Sequence, residues 1–353
     1  RIESGLNCGG HAFATDGLLM GPIMEEFKQK KNELQTSAFT LWKSALEQKG
    51  KMTTSEPLEI KISVQGGVGT SEEHDFLLSN YNADSVGWGS PFLLVPEATS
   101  LDQETRNLLT KAKEEDYYLS NMSPLGVPFN TIRGTSNDEI KDVNISNQKF
   151  GSSCPKKFLA LSKEFTPKGT CTASKKYQDI KLNELETNKL NFTDKQYEKS
   201  KKNITDKSCL CVGLANSAYL EQGLPIKGEK QGVVVCPGPN LSFFDKEVSL
   251  SEMVRHIYGY ENVLQDDRRP HLFINELKLY VDYFKNEIVE FSDEITKSQV
   301  KKWESFKGNL LKGIAYYEEL FAETNHFKPK LDSIFSDLKS FKLKLEKIKI
   351  PQL

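Results

Sequence analysis

A repeated order of strand, glycine loop and helix constrains the fold more than any other feature of this 353-residue chain. A β-like run at 58–64 ends in Gln65-Gly-Gly-Val-Gly-Thr70, and a helical pattern follows at 71–81. A second short strand at 83–86 ends in Gly87-Trp-Gly-Ser90. This order is typical of a parallel α/β unit, in which both glycine loops lie at the carboxyl ends of neighbouring strands.

Longer helical patterns flank this unit. Apolar spacing predicts one helix at about 22–49 and another at 99–113. The last part of the chain is predicted to be helical throughout, with two apolar stripes that must be buried against some partner. The middle part contains five of the six cysteines, several prolines and short predicted strands such as 232–236.

Composition narrows the class of protein. Apolar residues make up 37% of the chain, and 47 basic residues nearly balance 49 acidic ones, so a globular core is expected and a polyanion partner is not. A local lysine-rich stretch at 147–207 contains no Arg and is interpreted as a solvated face rather than a nucleic-acid site. No apolar run is long enough to span a membrane. The sparse cysteines and the lack of a leader favour a reduced, cytoplasmic protein.

Three glycine clusters are candidate anion sites. They are Asn7-Cys-Gly-Gly-His11, the loop after the first strand and the loop after the second. Glycine lets backbone N–H groups approach an anion closely, and the N-terminus of a following helix adds a positive dipole. Two such loops on consecutive strands are how a (β/α)8 barrel binds a phosphate. The alternative is a pair of tight turns that bind nothing.

The clusters carry a family resemblance. The segment Ser4-Gly-Leu-Asn-Cys-Gly-Gly-His11 resembles the glycine–histidine motif of the nitronate monooxygenases and the flavin-dependent enoyl-ACP reductases. The segment 62–70 is similar to the phosphate loop of that family, and 83–92 resembles its Gly-Ala-Asp signature. The segment 123–133 is an imperfect match to its lid. The resemblance covers about residues 3–134 and implies the C-terminal β/α units of an FMN-binding (β/α)8 TIM barrel.

The resemblance also implies a cofactor site and a catalytic residue. It places the acid/base role on His11, although the ring could instead only hydrogen-bond near the flavin. Trp88 stands where the family has Met, which is expected to narrow the pocket. The implied FMN-binding residues are Gly9, Gly10, Gly66, Gly67, Gly87, Trp88, Gly89 and Ser90.

The match begins at about the sixth strand of the barrel. The N-terminal half is therefore expected to come from the same precursor or from a second chain, because half a barrel leaves sheet edges and apolar helix faces exposed. The predicted organisation is barrel units at 1–135, a Cys-rich α+β module at 136–258 and a helical C-terminal region at 259–353. The helical region is a candidate surface for homo-oligomer formation.

The cysteine module is interpreted from its chemistry alone. Two of its thiols precede prolines, as ligands of iron–sulfur clusters often do, so a [4Fe–4S] cluster is favoured. Zinc is a weaker alternative because paired C-x-x-C hooks are absent, and buried free thiols are the third interpretation. Cys209 and Cys211 are close in sequence, so one of them is expected to be a spare. The candidate metal ligands are Cys154, Cys171, Cys209, Cys211 and Cys236.

These features together predict an FMN-dependent oxidoreductase. Its small-molecule substrate would be a carbon acid, such as a nitronate, or an enoyl thioester. The alternative from another class is a non-catalytic, barrel-derived scaffold or a subunit for metal or iron–sulfur assembly.

Overall fold

The structure is a computed structural model that describes residues 1–226, 232–264, 269–291 and 295–351. It is a mixed α/β fold, mostly helical, with two small sheets. The strands are β1 (Ile2–Glu3), β2 (Gly10–His11), β3 (Ser63–Gln65), β4 (Ser85–Gly87), β5 (Tyr117–Ser120) and β6 (Phe129–Ile132). The α-helices are α1 (Met20–Gln48), α2 (Ser71–Tyr81), α3 (Gln103–Lys111), α4 (Ser136–Ser146), α5 (Lys175–Thr187), α6 (Asp194–Thr205), α7 (Leu210–Glu221), α8 (Leu250–Ile257), α9 (Leu272–Phe291), α10 (Lys297–Glu323) and α11 (Leu331–Lys347).

The predicted parallel unit is present. The first sheet has the order β1-β3-β4 with all pairs parallel, and α1 and α2 are the connections between its strands. Val64 is the centre of the sheet because it faces Ile2 on one side and Val86 on the other. Strand β3 is shorter than its prediction at 58–64, and β4 begins two residues later than its prediction at 83–86. The run at 58–64 pairs only at its end, since Leu58 is 59% exposed and has no strand beside it.

Helix α2 begins and ends where the sequence predicts. The Thr70 hydroxyl accepts a hydrogen bond from the Glu73 amide, and Asn82 ends the helix in the left-handed conformation. Helix α1 also matches its prediction to within two residues. Its predicted apolar stripe is mostly wrong, however, since Leu41 is 74% exposed and Phe27, Leu34 and Trp42 are also exposed. Only the first turns of α1 are buried, at Met20, Gly21 and Met24.

The second sheet is antiparallel, in the order β2-β6-β5. Its middle strand β6 is buried along its whole length. The Asn130 amide nitrogen donates to the carbonyls of Leu6 and Cys8. These two bonds fix the first glycine cluster between the two sheets.

The middle part of the chain is helical rather than α+β. Between 136 and 258, the described residues contain helices and two isolated bridges, Ser152 with Ser174 and Ser162 with Thr170, but no strand. The predicted strand at 232–236 is therefore wrong. Its backbone bonds to other elements instead, as where the Val234 amide donates to the Gly213 carbonyl of α7. Extended backbone becomes a strand only when another strand lies alongside it.

The C-terminal helices cover the parallel unit. Their buried side chains form one core with β1, β3, α1 and α2. Trp303, Leu310 and Tyr317 of α10 are buried in this core beside Met20 and Phe76. The apolar stripes of α9 and α10 are thus buried within the chain, so they do not require a separate partner chain to cover them. Among the described helices, none combines the length and the apolar character that a membrane crossing requires.

Candidate functional site

The three glycine clusters meet around one cavity of about 490 Å³. It lies at the carboxyl ends of β1, β3 and β4, where a parallel sheet presents its loops. Its volume is within the range of roughly 300–1,000 Å³ that is usual for ligand pockets. Of the eight residues predicted to bind the cofactor, Gly10 is not part of the lining. The seven that line the cavity are Gly9, Gly66, Gly67, Gly87, Trp88, Gly89 and Ser90.

Glycine is required at the second cluster for two separate reasons. Gly66 and Gly67 have φ angles of 105° and 82°, a region that other residues rarely adopt. A Cβ atom on Gly66 would overlap the Cys8 thiol, and one on Gly67 would overlap the Asn7 amide. The first and second clusters are therefore packed together, so the loops are held in place without a ligand.

The side chain of Asn7 is the clearest unsatisfied group in the site. It is only 2% exposed and lines the cavity. Neither its Nδ2 nor its Oδ1 has a hydrogen-bond partner among the described residues. A buried amide without partners is costly, and such groups in proteins usually bind water or a ligand. Sequence analysis placed Asn7 within a motif but did not identify it as a binding residue.

Trp88 forms one wall of the cavity and is held by two histidines. Its Nε1 donates to His74 Nδ1 at 3.0 Å, and its ring meets the ring of His256 edge-on. Accepting this bond requires a lone pair on His74 Nδ1, and burial lowers the pKa of His74, which favours the neutral ring. Neither histidine was predicted to have a role, whereas the structure places both behind the predicted cofactor loop.

The segment 236–240 closes the cavity from the middle part of the chain. The Gly238 amide donates to Ser90 Oγ at 2.8 Å, so the Ser90 hydroxyl keeps its own proton to donate elsewhere. Cys236, predicted to be a metal ligand, lines this cavity instead of joining the other thiols. Burial raises the pKa of the Cys236 thiol, so it is neutral near pH 7.

A buried ion pair holds the second glycine loop from behind. Arg269 donates to Glu73 Oε1 at 2.7 Å, to the Gly67 carbonyl at 2.6 Å and to Asn240 Oδ1 at 3.0 Å. Burial raises the pKa of Glu73, but the nearby Arg269 and His271 together with the hydrogen bonds to the carboxylate outweigh burial, and the pKa is lowered overall. Glu73 also accepts from the Gly69 amide, which completes the loop. The sequence prediction missed Arg269 because almost 200 residues separate it from Glu73 and no motif surrounds it.

His11 is not part of the cavity lining, although Gly9, two residues earlier in the chain, is. It is in β2, its Nε2 is 2.7 Å from Ser123 Oγ, and its ring packs edge-on against Phe129. Burial lowers the pKa of His11, so its neutral form persists to lower pH than that of a free imidazole. Ser123 belongs to the segment that resembles the family's lid, and the structure joins the two predicted motifs.

The structure separates the five candidate metal ligands. All six cysteines are free thiols. Cys154, Cys171 and Cys209 are buried near one another, whereas Cys211 is half-buried on α7 and Cys236 lines the cavity. Within the part of the chain that the structure describes, no three side chains of His, Cys, Asp or Glu already stand at metal-binding distances.

The cavity is uncharged apart from one carboxylate. Glu3 lies at its edge, and no Lys or Arg occurs among the described lining residues. An anion bound here would be stabilised by backbone N–H groups and hydroxyls rather than by cationic side chains.

Known proteins supply no further assignment. No model of a known protein family matches the chain, and no curated protein matches it either. Function therefore has to follow from the cavity and the residues around it.

Proposed function

We propose that the protein is an FMN-dependent oxidoreductase of the nitronate monooxygenase and enoyl reductase type. One observation supports this most directly: three glycine loops line a single cavity at the carboxyl ends of parallel strands, and the buried, unpartnered amide of Asn7 packs against one of them at Gly67. The order β1-α1-β3-α2-β4 is also the order that consecutive units of a (β/α)8 barrel have.

The residues present fit the phosphate end of FMN. The amides of Gly66, Gly67 and Gly89 and the hydroxyl of Ser90 would donate to the phosphate oxygens. No Lys or Arg is among the described lining residues, so these backbone and hydroxyl donors would bind the phosphate without a cationic side chain in contact with it. Asn7 offers both a donor and an acceptor, which suits the ribityl hydroxyls or the polar edge of a flavin ring. Trp88 provides an aromatic wall, and its fixed orientation would limit how far the cofactor can move.

Bound FMN would supply the electron or hydride transfer. The chain's own contribution would be to exclude water, orient the substrate and move a proton. A small carbon acid or an enoyl thioester is the substrate class we favour. His11, kept neutral by its surroundings, is the residue we assign to proton transfer, with Ser123 as the partner that orients its ring.

The variant Gly89→Ala tests the cofactor site. Gly89 has an ordinary negative φ of −113°, and a Cβ there would meet nothing within 4 Å, so alanine is compatible with the fold. The added methyl group would project into the cavity and displace the phosphate. We expect FMN to bind at least tenfold more weakly, a loss of about 1.4 kcal/mol. Titration of flavin fluorescence with the purified protein measures it.

Gly308→Ala is the matched control. Gly308 lies in α10, where a Cβ also meets nothing within 4 Å, but it is remote from the cavity. This variant should bind FMN like the unaltered protein. If neither variant changes the affinity, or if the unaltered protein binds no flavin, the cofactor assignment is wrong. A colourless, redox-inert protein would support the scaffold function instead.

A further inference from the structure

We propose that Cys154 and Cys171 are a redox-modification site, where a peroxide converts the two thiols into a reversible disulfide bond. Both side chains belong to one small buried cluster that also contains Ala173. Their exposures are 9% and 3%, and both are free thiols in this structure. The segment 155–170 separates them in the chain, so the fold and not adjacency in the sequence brings the two sulfurs together.

Backbone hydrogen bonds join the two segments that carry these cysteines. The Ser152 amide donates to the Ala173 carbonyl at 3.0 Å, and the Lys175 amide donates back to the Ser152 carbonyl at 2.8 Å. Ser152 lies two residues before Cys154, and Ala173 lies two residues after Cys171. A disulfide requires that the two backbones already lie close together, and these bonds meet that requirement.

The Cys171 segment is held on both sides of the cysteine. Before it, the amides of Ser162 and Thr170 each donate to the carbonyl of the other, at 3.1 and 2.7 Å. After it, the Ser174 hydroxyl donates to the Cys171 carbonyl at 2.6 Å. The segment 155–170 is therefore a loop whose two ends are fixed, and a bond between the sulfurs would close it covalently.

Cys209 is the competing thiol. It lies within electrostatic range of Cys171, but it is not part of the cluster that contains Cys154 and Cys171. Its sulfur instead hydrogen-bonds to the Ser152 side chain and to the Val212 amide of its own helix. We therefore expect Cys209 to remain a thiol.

Close packing of these thiols suits a bond between two sulfurs. Within the part of the chain that the structure describes, no three side chains of His, Cys, Asp or Glu are placed to hold a metal ion. A disulfide needs no space between its sulfurs and no third ligand. The site also does not depend on the proposed flavin function.

Two steps complete the reaction with a peroxide as the oxidant. Cys154 is the more exposed thiol, and burial raises the pKa of Cys171 to about 12, so we assign the first step to Cys154. The Cys154 sulfur attacks hydrogen peroxide, the O–O bond breaks, and the products are a sulfenic acid and water. The Cys171 sulfur then attacks the sulfenic sulfur. The S–O bond breaks, the S–S bond forms, and a second water leaves with the Cys171 proton. A dithiol reductant reverses the change by thiol–disulfide exchange.

Peptide mapping of the peroxide-treated protein tests the site. The folded protein is exposed to hydrogen peroxide, the excess is removed, and the remaining thiols are alkylated in denaturant before digestion with trypsin. Four lysines lie between the two cysteines, so the peptides 150–156 and 169–175 separate unless a disulfide joins them. We expect these peptides to be linked and the number of free thiols to fall by two from the six of the reduced protein. Dithiothreitol should restore all six.

The variant Cys171→Ser should abolish the linked peptide. Cys209→Ser is the matched control, because Cys209 is also buried and lies close to the pair, and it should retain the link. Circular dichroism of each variant checks that the helices remain. A link from Cys209 to either cysteine in the unaltered protein, or six free thiols after peroxide treatment, would overturn the proposal.

A second measurement uses only the unaltered protein, so it does not depend on any variant folding. Closing the loop at 155–170 restricts the unfolded chain and should raise the thermal unfolding midpoint by about 5 °C relative to the dithiothreitol-reduced protein. An equal or lower midpoint in the linked protein would show that the native fold does not accommodate the bond, and this result would also overturn the proposal.

Discussion

At the scale of single residues, the protonation state of His11 decides how the proposed chemistry would respond to pH. Burial lowers the pKa of this imidazole, and only the neutral ring can accept a proton from a carbon acid. An ordinary imidazole titrates at about pH 6.5. Turnover should therefore persist below that value and fall only as the pH drops through the lowered pKa of His11.

The variant His11→Gln tests this assignment. We expect turnover to fall by about 100-fold or more, and the acidic limb of the pH–rate profile to disappear. Flavin should remain bound, because the loops around Gly66 and Gly89 are unchanged. His326→Gln is the matched control, since His326 contacts Phe76 and is not part of the cavity lining. A variant at His11 with unchanged turnover and pH dependence would exclude it from the reaction.

At the scale of elements, the loop after β3 depends on α2 and on the start of α9. Glu73 in the first turn of α2 accepts from Arg269 and from the Leu272 amide at the start of α9. The same guanidinium holds the Gly67 carbonyl. The lowered pKa of Glu73 means that its contribution is present at neutral pH and is lost as the pH falls through that pKa.

Replacing either partner of the ion pair between Glu73 and Arg269 should strongly destabilise the fold. We expect Glu73→Gln or Arg269→Leu to lower the free energy of unfolding by about 3–5 kcal/mol, because a buried charge loses its counter-ion. The double variant Glu73→Gln/Arg269→Leu should cost less than the sum of the two. Urea unfolding measures the stability, and flavin titration should show weaker binding in whatever fraction folds. Lys30→Ala breaks an exposed pair with Glu26 and should leave the unfolding midpoint unchanged.

Local sequence signals predicted the elements whose boundaries are set by their own residues. Thr70 caps the start of α2, and the glycines at 66–67 form the loop before it. The sequence predicted the positions of this loop and of the helix start. The strand at 232–236 was wrong because strand pairing depends on neighbours that the local sequence does not name. The choice among five thiols had the same limit. Which thiols lie near one another depends on contacts between segments that are far apart in the chain, as for Cys154 and Cys171.

At the scale of the whole molecule, Glu276 links residues near the start of the sequence to the helices α9 and α10. It lies on α9, fully buried, and accepts from the Ser4 hydroxyl at 2.6 Å and the Met20 amide at 3.0 Å. Tyr317 of α10 is its third donor. None of its described partners is a cation, and burial raises its pKa to about 7. Unlike Glu73, this carboxyl binds its proton more tightly in the folded protein than in the unfolded chain.

The expected effect on stability has the opposite sign to that of Glu73. The contribution of Glu276 is fully present below the unfolded pKa of about 4.5 and is lost as the pH rises towards about 7. Because a difference of one between the folded and unfolded pKa corresponds to about 1.4 kcal/mol, the loss is roughly 3 kcal/mol. Glu276→Gln removes the charge, while its amide oxygen can still accept from the Met20 amide and its amide nitrogen can donate to the Ser4 hydroxyl, so the free energy of unfolding should become nearly flat over this range. Urea unfolding between about pH 5 and 8 measures the slope.

Glu318→Gln, which alters an exposed pair with Lys342, should keep the slope of the unaltered protein. An unchanged slope in Glu276→Gln would mean that the buried carboxyl does not link the stability of the fold to pH.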